Sequence, residues 1–209
     1  MSSSGLHLDT QVHSRNDLER GARVCARAFF DDPFFSYLWA DDRHRLRALH
    51  LIHRALLVHL GDGGRIVTVR DSSDQMLGIA AWLTTDHYPQ GVRAQLAQLP
   101  GMLRAFSRTP RSFAKGQTCL TALAKVHPHD AQWYLCVLAT DPPAQRHGVG
   151  TLLMNEGLGH IDNEGVGGYL ETQKPENLAY YRRFGYELRD TLTPLGDGPA
   201  LYTMWRAPR

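Results

Sequence analysis

Apolar residues recur along this chain at two periods, and the change from one to the other marks its elements. Leu18, Ala22, Cys25, Ala26 and Phe29 follow helical spacing, with Asn16 or Asp17 as the expected N-cap. Asp31-Asp32-Pro33 stops that helix, and Pro33 suits the first turn of the next. Asp41-Asp42 supply a cap and a first-turn acid before a helix predicted from Arg43 to Leu60. A first strand is expected around Leu6–Val12, behind a polar tail. After the turn cluster Gly61-Asp62-Gly63-Gly64, residues 65–70 and the apolar run 76–84 around Trp82 predict two strands. The polar turn 71–74 joins them as a hairpin.

The second half alternates differently. Residues 88–127 carry no strand pattern and predict helices over 92–99, 102–106 and 113–126, punctuated by Pro89, Pro100, Pro110 and Pro128. We read this stretch as a helical insertion that decides substrate choice. Trp133–Ala139 is almost unbroken apolar sequence and predicts a buried strand ended by Asp141-Pro142-Pro143. A helix over 149–163, a strand over 166–171, a helix over 175–184, a strand starting at 185–188 and a last strand over 200–205 follow. Strands alternating with helices imply an α/β layer, and the absence of repeats or linkers implies one domain over 1–209.

Charge narrows the function classes. The 209 residues carry 23 basic and 21 acidic side chains, a net charge of +2, so there is no electrostatic footprint for nucleic acid or an anionic membrane. Lys115, Lys125 and Lys174 are the lysines, which leaves 20 scattered arginines among the 23. Cys25, Cys119 and Cys136 are too widely spaced for a disulfide framework or a zinc motif. The histidine pairs His50/His53 and His127/His129 lack companions at zinc spacing, so no metal is expected. The N-terminus has no apolar leader pattern, and a cytoplasmic protein is expected.

Candidate chemistry begins at Gln145-Arg146-His147-Gly148-Val149-Gly150-Thr151, between a predicted strand and a predicted helix. Unpaired N–H groups at a helix N-terminus converge on an anion, and glycines let it approach the backbone. A nucleotide P-loop is excluded because no lysine follows Gly150, and a dinucleotide fingerprint because Leu153 stands where a third glycine belongs. The second feature is Asn177-x-x-x-Tyr181-x-x-x-Gly185-Tyr186, in which Asn177 and Tyr181 share one helix face and Gly185 ends the helix.

Together, the two motifs in this order resemble the GNAT superfamily of N-acetyltransferases, and most nearly its puromycin N-acetyltransferase subgroup. The likeness to that subgroup rests on Trp133-Tyr134-Leu135, Asp141-Pro142, Gln145-x-x-Gly148-x-Gly150, Leu170-Glu171-Thr172, Asn177, Tyr181, Phe184-Gly185-Tyr186, the ending Pro199–Arg206 and Phe30-Asp31-Asp32-Pro33-Phe34. Arg146 departs from it, since a glycine is usual there.

The resemblance implies a mixed α/β fold: a twisted, mostly antiparallel sheet of about seven strands with a splayed central pair, flanked by helices. It implies acetyl-CoA as co-substrate, bound by the half of the chain over 131–206. Its pyrophosphate would lie on Gln145, Arg146, His147, Gly148, Val149, Gly150 and Thr151, and its pantetheine arm along Leu138, Ala139 and Thr140, with Asn177 hydrogen-bonding beside it. Tyr181 takes the general-acid position, with Tyr180 as its structural neighbour. Glu171 is a base, a binder of the substrate amine or a salt-bridge partner; Asp31, Asp32 and Phe34 lie where an acceptor pocket begins, or the two acids cap a helix. The implied activity is acetylation of a primary amine on a small molecule, by a monomer or homodimer. A protein lysine or N-terminal acetyltransferase and a non-catalytic acyl-CoA sensor are the rivals.

Overall fold

In a computed structural model, residues 6–9, 14–60, 64–84, 92–129 and 132–209 are described, with the backbone alone over 92–95. The elements in chain order are β1 (His7–Asp9), α1 (Arg15–Ala28), α2 (Pro33–Leu38), α3 (Asp42–Leu60), β2 (Gly64–Arg70), β3 (Met76–Leu83), α4 (Val92–Phe106), α5 (Pro110–Val126), β4 (Gln132–Thr140), α6 (Val149–Glu164), β5 (Gly167–Thr172), α7 (Glu176–Arg182), β6 (Glu187–Leu192) and β7 (Leu201–Arg206). The strands form one sheet in the order β1-β2-β3-β4-β5-β7-β6, antiparallel except at β4–β5. The expected mixed α/β fold with a mostly antiparallel sheet of seven strands is therefore present.

Two boundaries differ from the sequence reading. Helix α1 is capped by Ser14, whose hydroxyl accepts from the Asp17 N–H while the Asp17 carboxylate accepts from the Ser14 N–H. The spacing Ser14-x-x-Asp17 is that of a capping box, with Asp17 inside the helix at its third position. Helix α4 runs unbroken through Pro100, where the sequence predicts two pieces. Packing overrides the cost of that proline, because Gly101 brings the α4 backbone against Ala55 of α3, with a Cβ position only 2.7 Å from the Ala55 Cβ. The strand expected over Leu6–Val12 is described only at His7–Asp9; residues 10–13, and the turn residues 61–63, lie outside the described residues.

Each face of the sheet has its own core. On one side Leu153, Met154, Leu158 and Ile161 of α6 pack on Trp82, Trp133, Leu135 and Leu170. On the other, Ala22, Val24 and Cys25 of α1 and Leu57 and Leu60 of α3 pack on Ile79, Ala81, Val137 and Ala139. Strand β4 serves both faces because its register against β3 shifts by one residue, with Ala81 opposite Val137 but Trp82 opposite Leu135. Cys136 is the extra residue of this bulge, and it reverses the alternation. Trp133 and Leu135 point to α6, whereas Val137 and Ala139 point to α1.

The predicted insertion is a helical bridge. Helix α4 packs along α3, while Cys119 and Leu123 of α5 pack on Leu192, Leu195 and Leu201 of the β6–β7 ribbon. Phe34 of α2 touches both clusters.

Gly157 of α6 gives a sharp test of the α6 face. A Cβ there would lie 2.6 Å from the Trp82 indole nitrogen. Gly157→Ala is expected to destabilise the fold by about 1–3 kcal/mol despite the better helix propensity of alanine, read by urea unfolding.

Candidate active site

The site begins where two strands part. Strands β4 and β5 pair in parallel from Gln132/Gly167 to Leu135/Leu170 and no further. Beyond that point, among the described residues, Val137–Thr140 pair only with β3, and Glu171 and Thr172 only with β7. The bulge at Cys136 coincides with the parting, so one edge of β4, including Leu138, Ala139 and Thr140, faces an opening.

The loop after β4 closes one end of this opening. Asp141 is buried and held by Arg27 of α1 through two bonds of 2.7 and 2.9 Å, and its N–H donates to the Leu77 carbonyl at 2.8 Å. The chain then makes a tight turn at Pro142–Ala144 and enters α6 through Arg146 and Gly148, both at positive φ (64° and 86°). Arg146, where the sequence resemblance leads one to expect glycine, thus adopts a left-handed conformation at a cost of about 1–2 kcal/mol. Gln145 donates to the Thr140 carbonyl at 3.3 Å. Among the described residues, no backbone carbonyl accepts from the N–H groups of Arg146, His147, Gly148, Val149, Gly150 or Thr151. Six donors at a helix N-terminus, in a loop without side-chain caps, form a cradle for an anion such as a pyrophosphate.

Two tyrosines of α7 stand at different depths. The Tyr180 hydroxyl lies 2.8 Å from the Cβ position of Gly150, beside Thr151, and makes no well-formed hydrogen bond. Tyr181 is 7% exposed and packs with Tyr186 in the α6-side core, where burial pushes its phenol up and keeps it protonated. Asn177 donates to Thr172 Oγ1 at 3.1 Å and ties α7 to the end of β5.

Glu171 sits on β5 just past the last β4 pair. Its two oxygens accept from Tyr134 and Tyr169, each at 3.1 Å. Burial pushes its carboxyl up to about 7, against the two phenol bonds that pull it down. Burial and the nearby Glu171 also push the Cys136 thiol up, so it stays protonated. Sequence reasoning missed both tyrosine partners. Tyr169 was within reach of it, since residues two apart on a strand share a face.

The acids near the start of the chain divide. Asp32 is 3% exposed and accepts from the Phe34 N–H at 2.9 Å, capping α2, and burial pushes its carboxyl up. Asp31 is exposed, and Phe34 is half-buried between α2 and α5. Near them Phe29 stacks on His53 with ring centroids 4.9 Å apart, and burial lowers His53 to about 4.

The model of the acetyltransferase (GNAT) family matches residues 26–186, which includes both motifs and Glu171. The chain belongs to this family. Members transfer an acetyl group from acetyl-CoA, and the unpaired donors of the α6 loop, the open β4 edge and Glu171 beside it fit that co-substrate. Solved structures of the same fold include a histone acetyltransferase HPA2 and related acetyltransferase from Corynebacterium glutamicum (23% identity, 98% of this chain and 97% of that one, TM-score 0.69). Another is arylalkylamine N-acetyltransferase 2 of Aedes aegypti (11% identity, 97% and 98% covered, TM-score 0.64). A third, PaiA N-acetyltransferase of Thermoplasma acidophilum (10% identity, 96% and 99% covered, TM-score 0.57), was solved with coenzyme A. At these identities the structural likeness carries the fold.

The Glu171 environment has a thermodynamic consequence for this GNAT acetyltransferase. With its native pKa raised from 4.5 to about 7, the folded state holds a proton that the unfolded state releases, so stability falls as pH rises through that window. Glu171→Gln is expected to unfold at higher urea than wild type at pH 8, by on the order of 2 kcal/mol, with the gap closing below pH 4.5. A gap that does not change with pH contradicts the assigned environment.

Proposed function

We propose that this acetyltransferase acetylates a primary amine on a small molecule by direct attack, with Glu171 as the base. One observation supports this above the others: Glu171 is a desolvated carboxyl balanced near pH 7, bonded to no cationic side chain among the described residues, at the parting of β4 and β5. A base is most effective when its pKa lies near the working pH. An unpaired buried carboxylate also attracts an ammonium group and then takes its proton.

Acetyl-CoA supplies the activated acyl group and a thiolate leaving group. The N–H donors from Arg146 to Thr151 bind its pyrophosphate, and the freed edge of Leu138, Ala139 and Thr140 pairs with its pantetheine arm like an added strand. Gln145, through its bond to the Thr140 carbonyl, braces that edge, and Asn177 closes the far side from Thr172. Backbone N–H groups near Ala139 stabilise charge growing on the acyl oxygen. The protonated Cys136 thiol is no nucleophile, which favours direct attack over an enzyme-bound acyl group. Tyr181 protonates the leaving thiolate. Tyr180 is the alternative donor, since its hydroxyl reaches the α6 loop.

A small acceptor suits the way α4 and α5 bridge from α3 to the β6–β7 ribbon, with Phe34 between them and Asp31 and Asp32 on the entry side. The sequence likeness to puromycin acetylation points the same way. We read 1–209 as one domain acting in the cytoplasm, alone or as a homodimer, without nucleic-acid or membrane partners. Among the described residues no helix is long and apolar enough to cross a membrane.

Release of CoA thiol across a panel of amines, including puromycin, aminoglycosides, polyamines and peptides, tests the activity. Turnover of a small amine is expected; turnover of peptides alone contradicts the reading. Acetyl-CoA is expected to raise the melting temperature, and Gly150→Ala to weaken its binding by about tenfold or more, because the added methyl meets the Tyr180 hydroxyl and narrows the cradle. Tyr181→Phe is expected to lower kcat by about a hundredfold, with Tyr180→Phe acting mainly on KM for acetyl-CoA. The reverse pattern assigns the proton donor to Tyr180.

A further inference from the structure

We propose that Tyr134 and Tyr169 are positioning residues that clamp the Glu171 carboxylate, one hydroxyl on each oxygen, so that its ionised form is supported and held in place where β4 and β5 part. This rests on reading Glu171 as the base.

The clamp follows from strand register. In the parallel pairing of β4 and β5, Tyr134 lies directly opposite Tyr169. Glu171 is two residues beyond Tyr169 and shares its face of the sheet. By then β4 has left β5, so no β4 residue lies opposite Glu171. The Tyr134 side chain spans the gap instead, and its hydroxyl donates to Oε2 at 3.1 Å. The Tyr169 hydroxyl donates to Oε1, also at 3.1 Å. With one donor on each oxygen the carboxylate plane is held from two strands, and each oxygen keeps a second lone pair for a proton.

The rings are themselves braced. His127 packs edge-on against both, its centroid 5.2 Å from Tyr134 and 4.4 Å from Tyr169. Its ring is held in turn by Gln132, whose amide nitrogen lies 3.1 Å from His127 Nε2 and donates to the Pro128 carbonyl at 3.0 Å. Swinging either phenol away means displacing this histidine, which is buried.

The charge balance around Glu171 gives the clamp its second effect. From β4 the carboxyl faces Tyr134 and Cys136, both held protonated by burial, and from β5 it faces Tyr169. On β7 its register partner is Thr203, whose hydroxyl donates to Asp190 of β6 at 3.1 Å. Burial, with His129 and Arg189 nearby, lowers His127 to about 4. Among the described residues no cationic side chain bonds to Glu171, so the two phenol donors are what holds the carboxylate form against burial. Removing one raises the carboxyl pKa and empties the base at neutral pH.

The test reads the carboxyl directly and through turnover. Carbon-13 carboxyl titration of Glu171 in the ligand-free protein, compared among wild type, Tyr134→Phe, Tyr169→Phe and the double variant, is expected to move upward by about one pH unit for each lost hydroxyl. The rising limb of kcat/KM against pH should move by the same amount, with the rate recovering at alkaline pH. A merely structural role lowers the rate equally at every pH. Both single variants remove one oxygen atom from an otherwise unchanged ring, and their melting curves check that the fold is kept. A carboxyl titration that stays at the wild-type position in all three variants overturns the clamp. If the titration moves and the rate limb does not, the clamp stands and the base assignment fails. Glu171→Gln separates the two again, because loss of the rising limb there supports the base independently of the tyrosines.

Discussion

Strands β4 and β5 hold together for four residue pairs and then part, and the site is arranged around that parting. A parallel pair saturates the facing edges of both strands wherever it continues. Where it stops, β4 is left with one edge bonded to β3 and the other free, inside the protein rather than at its rim. Free backbone donors and acceptors in such a place are costly unless a ligand or water takes them. The one-residue bulge at Cys136 lies at the same point, and it also turns the following side chains of β4 from the α6 face to the α1 face. One local irregularity thus creates both the gap and the surface beside it.

The loop that closes the gap offers backbone donors to an anion, so the proposed site does not depend on a basic surface. Arg27 and Asp141 neutralise each other at its base, and the donors proposed to bind the anion are unpaired backbone N–H groups at the start of α6. This explains how a chain with a net charge of only +2 suits a strongly anionic co-substrate. Desolvation is then used twice. It keeps the Cys136 thiol and the tyrosine phenols protonated, and it lifts Glu171 to where a carboxyl still accepts a proton near neutral pH. The same burial that weakens the fold at alkaline pH suits Glu171 to the role of base proposed for it, a trade typical of sites tuned for proton transfer.

Local features were legible in the sequence and relational ones were not. Glycines at 148 and 150 between an apolar strand and a helix define the loop by themselves, and Arg146 at positive φ shows that the conformation persists without a third glycine. The strand and helix order follows from periodicity. The bulge is invisible because residues 133–139 are apolar without a regular alternation to interrupt. The Tyr134–Glu171 bond joins residues 37 apart, and it exists only because parallel register sets Tyr134 beside Tyr169. Helix α4 passes through Pro100 because contact with α3 outweighs a local penalty, which no window of sequence can weigh. Ser14 was missed for a simpler reason: two acceptable caps followed it, and the capping box uses one of them, Asp17, from inside the helix.

Hydrogen–deuterium exchange with and without acetyl-CoA tests the central claim most directly, because it reports on backbone groups and needs no acceptor amine. The account predicts that binding slows exchange in the free part of β4, residues 137–140, and at the start of α6, residues 146–151, while the β4–β5 paired stretch 132–135 is unchanged. Protection that appears elsewhere, with both of these segments exchanging as in the free protein, would contradict it.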